Sequence, residues 1–86
     1  MELHTIEVTE SVRSAGACLW HSTGTLVDVA GDEYVRLPHG TLVKRTNAWK
    51  DTRAEAEAAA ASLIEAMAAT LVRQAKELRE AAHAPA

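Results

Sequence analysis

Residues 53 to 82 contain neither glycine nor proline, and alanine dominates the first half of this segment. A run of this length without a helix breaker predicts one long helix, with residues 83 to 86 as a frayed tail. At its start, Thr52 can cap the amide of Glu55 while Glu55 reaches back, as in a capping box. About 30 helical residues span roughly 45 Å, so this segment constrains the fold more than any other.

An apolar stripe follows the helix at alternating steps of three and four residues, which is the spacing of an amphipathic face. The stripe comprises Ala60, Ile64, Met67, Leu71, Ala75, Leu78 and Ala82, with Ala61, Leu63, Ala68 and Val72 beside it.

Residues 3 to 46 alternate apolar and polar side chains between turn signals, which predicts an antiparallel β-meander of four to five short strands, open or curled into a small barrel. In residues 37 to 41, Pro38 and Gly40 are typical of a three-residue hairpin loop that pairs Val35 with Val43. The fold class is therefore α+β, in a single domain over residues 1 to 86.

The register of the preceding hairpin follows from the side-chain pattern. A three-residue loop around Gly31 would pair Val29 with Val35 and Asp28 with Arg36, and Thr23-Gly24 is interpreted as a further turn. The face predicted to be buried comprises Cys18, Trp20, Val27, Val29, Val35, Leu37 and Val43. The opposite face comprises Leu19, His21, Leu26, Asp28, Tyr34, Arg36, Leu42 and Lys44.

The helix is longer than strands of about six residues, which span roughly 20 Å. Its second half would leave an apolar stripe in water, so the sequence predicts a homo-oligomer, most simply a dimer, that associates through the helix. The residues predicted to form this contact are Ile64, Met67, Leu71, Val72, Ala75 and Leu78. The alternatives are a break near Ala68 that folds the last turns back, or fraying. Binding of an unknown protein partner to the mixed face of the sheet is a further alternative.

A cationic group lies between the sheet and the helix, although the net charge of the chain is −3. It comprises Arg36, Lys44, Arg45, Lys50 and Arg53, and Tyr34 beside Lys44 adds an aromatic ring. Such a patch can bind phosphate or a stacked base, which gives nucleic-acid binding as an alternative function. The interpretation that we favour is structural, with Arg36 paired to Asp28 and the lysines protecting a sheet edge.

The segment Trp49-Lys50-Asp51-Thr52-Arg53-Ala54-Glu55-Ala56 resembles the strand-to-helix junction of the arm-type DNA-binding domains of phage integrases. The resemblance implies a DNA-binding function. The chain departs from that family in its acidic charge, its additional N-terminal strand and its longer helix, and we assign no family from it.

No catalytic, metal or cofactor site is predicted. The four histidines show no metal-ligand spacing, and Cys18 is expected to be a buried, unreactive thiol. We therefore do not expect an enzyme, although a pocket at an oligomer interface that uses His21, Asp28 and Arg36 is a third alternative. One cysteine, a polar N-terminus and no apolar run of about 18 residues predict a cytoplasmic protein without a membrane segment.

Overall fold

The computed structural model describes residues 1 to 11 and 16 to 84. It has four strands, β1 (Glu2–Ser11), β2 (Gly16–Val29), β3 (Asp32–Arg36) and β4 (Leu42–Lys44), followed by one helix, α1 (Arg53–His83). The strands form one antiparallel sheet in the order β1-β2-β3-β4. This open sheet with a C-terminal helix confirms the predicted α+β meander.

Helix α1 is continuous over 31 residues, and Thr52 is its N-cap, as predicted. The Thr52 hydroxyl accepts a hydrogen bond from the Glu55 amide at 3.1 Å, which satisfies one of the free N–H groups of the first turn. Because the helix runs unbroken through Ala68, the alternative of a break at that residue is wrong. The helix packs beside β1.

Strand β2 is a single strand of 14 residues, so the predicted turn at Thr23-Gly24 is wrong. Glycine at position 24 serves packing instead of a turn. A Cβ atom at this position would overlap Cγ1 of Val35 and lie 3.1 Å from the Arg36 carbonyl oxygen. Strands β1 and β2 pair along ten residues each and form a long two-stranded ribbon, which the prediction of short strands missed.

The β2–β3 register also differs from the prediction. Ala30 and Gly31 both have positive φ, 53° and 87°, so a two-residue loop joins the strands. This loop pairs Leu26 with Val35 and Asp28 with Glu33. The Gly31 amide donates to the Asp28 carboxylate at 3.1 Å, so Asp28 belongs to the turn and does not lie opposite Arg36.

The predicted β3–β4 hairpin is confirmed, with Val35 opposite Val43 and the Leu37 amide donating to the Thr41 carbonyl at 2.9 Å. Gly40 in its loop has φ 96°. The predicted buried face is correct for Val35. It is wrong for Val29, which the observed register puts on the opposite face and which is 42% exposed, and for Cys18 and Trp20, which are both exposed. Cys18 and Trp20 alternate in phase with Leu26 along β2, but they lie far from the packed end of the sheet.

The core of the single chain is small. Among the described residues, the buried apolar side chains are Leu3, Val35, Ala56 and Ala60. They lie where the chain returns to the free edge of β1, since the backbones of Lys50 and His4 exchange hydrogen bonds of 2.7 and 2.8 Å. From this end, the ribbon and the helix extend together into an elongated chain of 63 × 26 × 21 Å.

Candidate self-association surface

The apolar stripe of α1 becomes progressively uncovered along the helix. Ile64 and Met67 are half-buried against the ribbon, whereas Leu71 is 48% exposed. Further on, Val72 and Leu78 are 71% and 72% exposed, and Ala75 between them is also exposed. The six residues of the predicted contact therefore lie along one helix, and their exposure in the single chain increases towards its C-terminus.

The ribbon accounts for this gradient. Glu10, near the end of β1, lies beside Thr70, Leu71 and Gln74 across a shallow cleft. Strand β1 ends at Ser11, so the described part of β1 accompanies α1 only to about this level. Because the strands are longer than predicted, the helix extends past the described end of β1 at a later residue than predicted.

A groove lies between α1 and β2, on the helix-facing side of the ribbon. Its volume is about 410 Å³. Its lining residues are Ile6, Leu19, His21, Arg53, Glu57, Ala60, Ala61 and Ile64. Leu19 is 57% exposed at its edge. This groove and the helix stripe are adjacent, because Ala60 and Ile64 belong to both.

Two histidines meet on the same side of the ribbon. The His4 and His21 rings are stacked with centroids 5.4 Å apart, and His4 Nδ1 lies 3.2 Å from His21 Nε2. In such a pair one imidazole donates and the other accepts. Sequence reasoning missed this contact, since it depends on the β1–β2 register, which places His21 opposite Ile6. Residues 1 to 11 and 16 to 84 contain no group of three or more metal-ligating side chains.

The predicted cationic group is divided in the structure. Tyr34, Arg36 and Lys44 share one face of β3–β4, with Tyr34 directly opposite Lys44, as predicted. Lys50 is half-buried at the β1 edge. The Arg53 guanidinium lies 3.6 Å from the Glu57 carboxylate.

Arg45 is neutralised by two carboxylates. Its guanidinium donates to Glu33 at 2.9 Å and to Asp51 at 3.2 Å. The hydrogen bond to Glu33 is the main cause that raises the pKa of Arg45 above its ordinary value. These contacts tie β4 to β3 and to the start of the helix, so Arg45 has a structural role.

The third alternative, a pocket that uses His21, Asp28 and Arg36, assumed that these three side chains share one face of the sheet, and they do not. The register places Asp28 opposite Glu33 and Arg36 opposite Thr25. Since side chains alternate along β2, Asp28 lies on the face opposite to Thr25 and His21.

Helix α1 is long enough to cross a bilayer, but no helix in the described part of the chain is both long and apolar enough to do so. Comparisons of the chain with protein-family models, curated proteins and solved structures find no significant match.

Proposed function

We propose that this chain is a non-enzymatic assembly module that forms a homodimer through α1. The observation that carries the proposal is the accessible surface of the single chain, 6587 Å². A compact monomer of 9.2 kDa is expected to expose about 4,900 Å². The surplus of about 1,700 Å² per chain lies within the range of about 1,000–2,500 Å² per partner that obligate dimers bury.

The dimensions of the chain support the same proposal. Its radius of gyration is 18.4 Å, whereas a compact domain of this length has about 12 Å. The uncovered surface is also of the right chemistry, because large aliphatic side chains form a continuous stripe on α1. Contiguous exposed apolar patches of this kind are typical of interaction sites.

Sedimentation equilibrium of the full chain tests the proposal. We expect twice the 9.2 kDa mass of one chain and a monomer when Val72→Glu and Leu78→Glu are combined, since both side chains are largely exposed within one chain. The matched control combines Ser62→Glu and Ala69→Glu on the opposite side of the helix, which should remain dimeric. A full-length chain that stays monomeric at high concentration would refute the assembly module.

We propose a cytoplasmic location for this module. Cys18 is a free and exposed thiol, and such a thiol is kept reduced by the cytoplasmic thiol pool. In an oxidising compartment it would be prone to form intermolecular disulfides. Fractionation of cells that express the full chain, with the redox state of Cys18 read by thiol labelling, tests this part of the proposal.

A second, less favoured proposal is nucleic-acid binding by the β3–β4 face. It is supported by the cross-strand pair of Tyr34 and Lys44, with Arg36 on the same face, because an aromatic ring beside cations suits a stacked base and its phosphate. Titration with labelled DNA and RNA at about 50 and 200 mM salt should show binding that falls steeply with salt. Arg36→Ala should weaken it and Arg73→Ala on the helix should not, and no binding at low salt would end this proposal.

A further inference from the structure

A heptad repeat is superimposed on the broader apolar stripe of α1. Steps of three and four residues connect Ala61, Ile64, Ala68, Leu71, Ala75, Leu78 and Ala82. The alanines recur every seven residues along the chain. Each of the first three is followed three residues later by a larger aliphatic residue, Ile64, Leu71 or Leu78. Alternation of apolar residues at these steps is the pattern by which one helix packs along another, and alanine permits close approach of the two axes.

The alanines of the heptad lie away from the strand that already covers the helix. Ala61 lines the groove over β2, and at about 100° per residue Ala68 and Ala75 lie on the same side of α1 as Ala61. Met67 and Gln74 lie on the other flank, beside the end of β1. A second helix can therefore pack along this side of α1 without displacing β1.

We infer that the partner of this heptad is the helix of a second copy, running antiparallel, in a register set by Glu65 and Arg79; the inference rests on the proposed dimer. Layers of one small and one large residue result when Ala68 meets the partner's Leu78 and Leu71 meets the partner's Ala75. This register also brings Glu65 beside the partner's Arg79, and the two-fold axis repeats the pair.

Charge complementarity favours this register over a register shifted by one heptad and over a parallel pair of helices. Glu65, Val72 and Arg79 follow each other at steps of seven along the exposed flank of the heptad, and all three are exposed in the single chain. Flanking charges of this kind set the orientation of paired helices. A shift by one heptad places Glu65 beside Val72, and a parallel pair places it beside Ala60 or Met67, so neither joins opposite charges.

The antiparallel register also covers the surfaces that one chain leaves open. Ile64 meets the partner's Ala82, so the last turn of the partner helix reaches the end of the groove at Ile64. The described part of β1 reaches only to about Leu71, so each ribbon lies under the first half of its own helix and beside about the last two turns of the partner helix. Val72, which is 71% exposed in one chain, meets the partner's Val72 near the two-fold axis.

Charge reversal in the full-length chain tests the register. Glu65→Arg alone and Arg79→Glu alone each replace two attractive pairs by two repulsive ones, so each should raise the dimer dissociation constant about ten-fold. An equimolar mixture of the two variants should form a heterodimer with the affinity of the original chain. The double variant with both changes should also regain that affinity. Glu77→Arg, on the opposite side of the helix, is the matched control and should leave the constant unchanged.

The outcomes separate this inference from the proposed function. A dimer whose affinity is insensitive to either reversal, or whose mixed variants do not recover, overturns the antiparallel register but leaves the assembly module standing. A monomeric original chain overturns both. Recovery in the mixture together with loss in each single variant supports the register, because a general change in helix stability would persist in the mixture.

Discussion

Replacing Leu71 by alanine is expected to weaken the dimer strongly, whereas the same replacement at Leu63 is expected to leave it almost unchanged. The two side chains are a matched pair, because they lie on the same helix and are 48% and 49% exposed in the single chain. They differ in direction. Leu71 belongs to the heptad, and Leu63 lies about 80° away from it around the helix.

The magnitude follows from the exposed fraction. Leucine to alanine removes three carbon groups, each contributing about 0.8 kcal/mol when it is transferred fully out of water. Since about half of Leu71 is already covered in the single chain, association should gain about 1 kcal/mol per copy from these carbons. Two copies give about 2 kcal/mol per dimer, which corresponds to a dissociation constant about 30-fold higher. The two residues have similar helix propensity, so the helix itself should persist.

Sedimentation equilibrium over a wide concentration range gives the dissociation constant of each variant, and circular dichroism checks that helix content is retained. Within one chain both changes should lower the free energy of unfolding to a similar extent, because both side chains are covered to a similar extent. The difference should therefore appear only in the dimer equilibrium. Equal effects of the two replacements, or a larger effect at Leu63, would refute the placement of the interface on the groove side of α1.

Three further predictions concern the stability of the fold, each measured by urea unfolding at fixed protein concentration. Gly24→Ala should lower the free energy of unfolding by about 1–3 kcal/mol through overpacking; in a Val35→Ala background the additional loss should be much smaller, and an equal loss would contradict the clash. Ala30→Asn should raise stability by up to about 1 kcal/mol, since asparagine tolerates the left-handed conformation of this turn; a loss would contradict the turn geometry. Thr52→Ala should cost about 1 kcal/mol by removing the helix cap, and no change would mean that the cap is dispensable.

The elements that the sequence predicts correctly are those whose signals are local. The β3–β4 loop contains Pro38 and Gly40, and the helix start contains Thr52 and Glu55 at capping distance, so neighbouring residues alone determine both structures. The β2–β3 turn was missed because its first residue is Ala30, which gives no signal for positive φ. The loop lies at residues 30 and 31 and not at 31 to 33, which changes the register by three residues and places Asp28 opposite Glu33 and not Arg36.

Other errors come from contacts between distant residues. Gly24 was interpreted as a turn residue, but glycine is required there because Val35 on a neighbouring strand leaves no room for a Cβ atom. The periodicity of the sequence contains no information about such a contact. The error divided β2 in two and placed Trp20 and Cys18 in the core. The stripe on the helix was predictable from spacing alone. The groove beside it and the pairing of His4 with His21 were not, because both require the β1–β2 register.

The self-association surface follows from the way in which these elements are combined. A continuous helix of 31 residues and a ribbon that contains a strand of 14 residues have similar lengths, roughly 46 Å each, but they overlap over only part of that length. Folding the helix back would require interrupting its hydrogen bonds within a segment that has no glycine or proline. The second half of the helix therefore cannot fold back onto its own ribbon. A second copy, rotated by 180°, brings the exposed second halves of the two helices onto each other, which is why a dimer offers this sequence the apolar core that a single chain lacks.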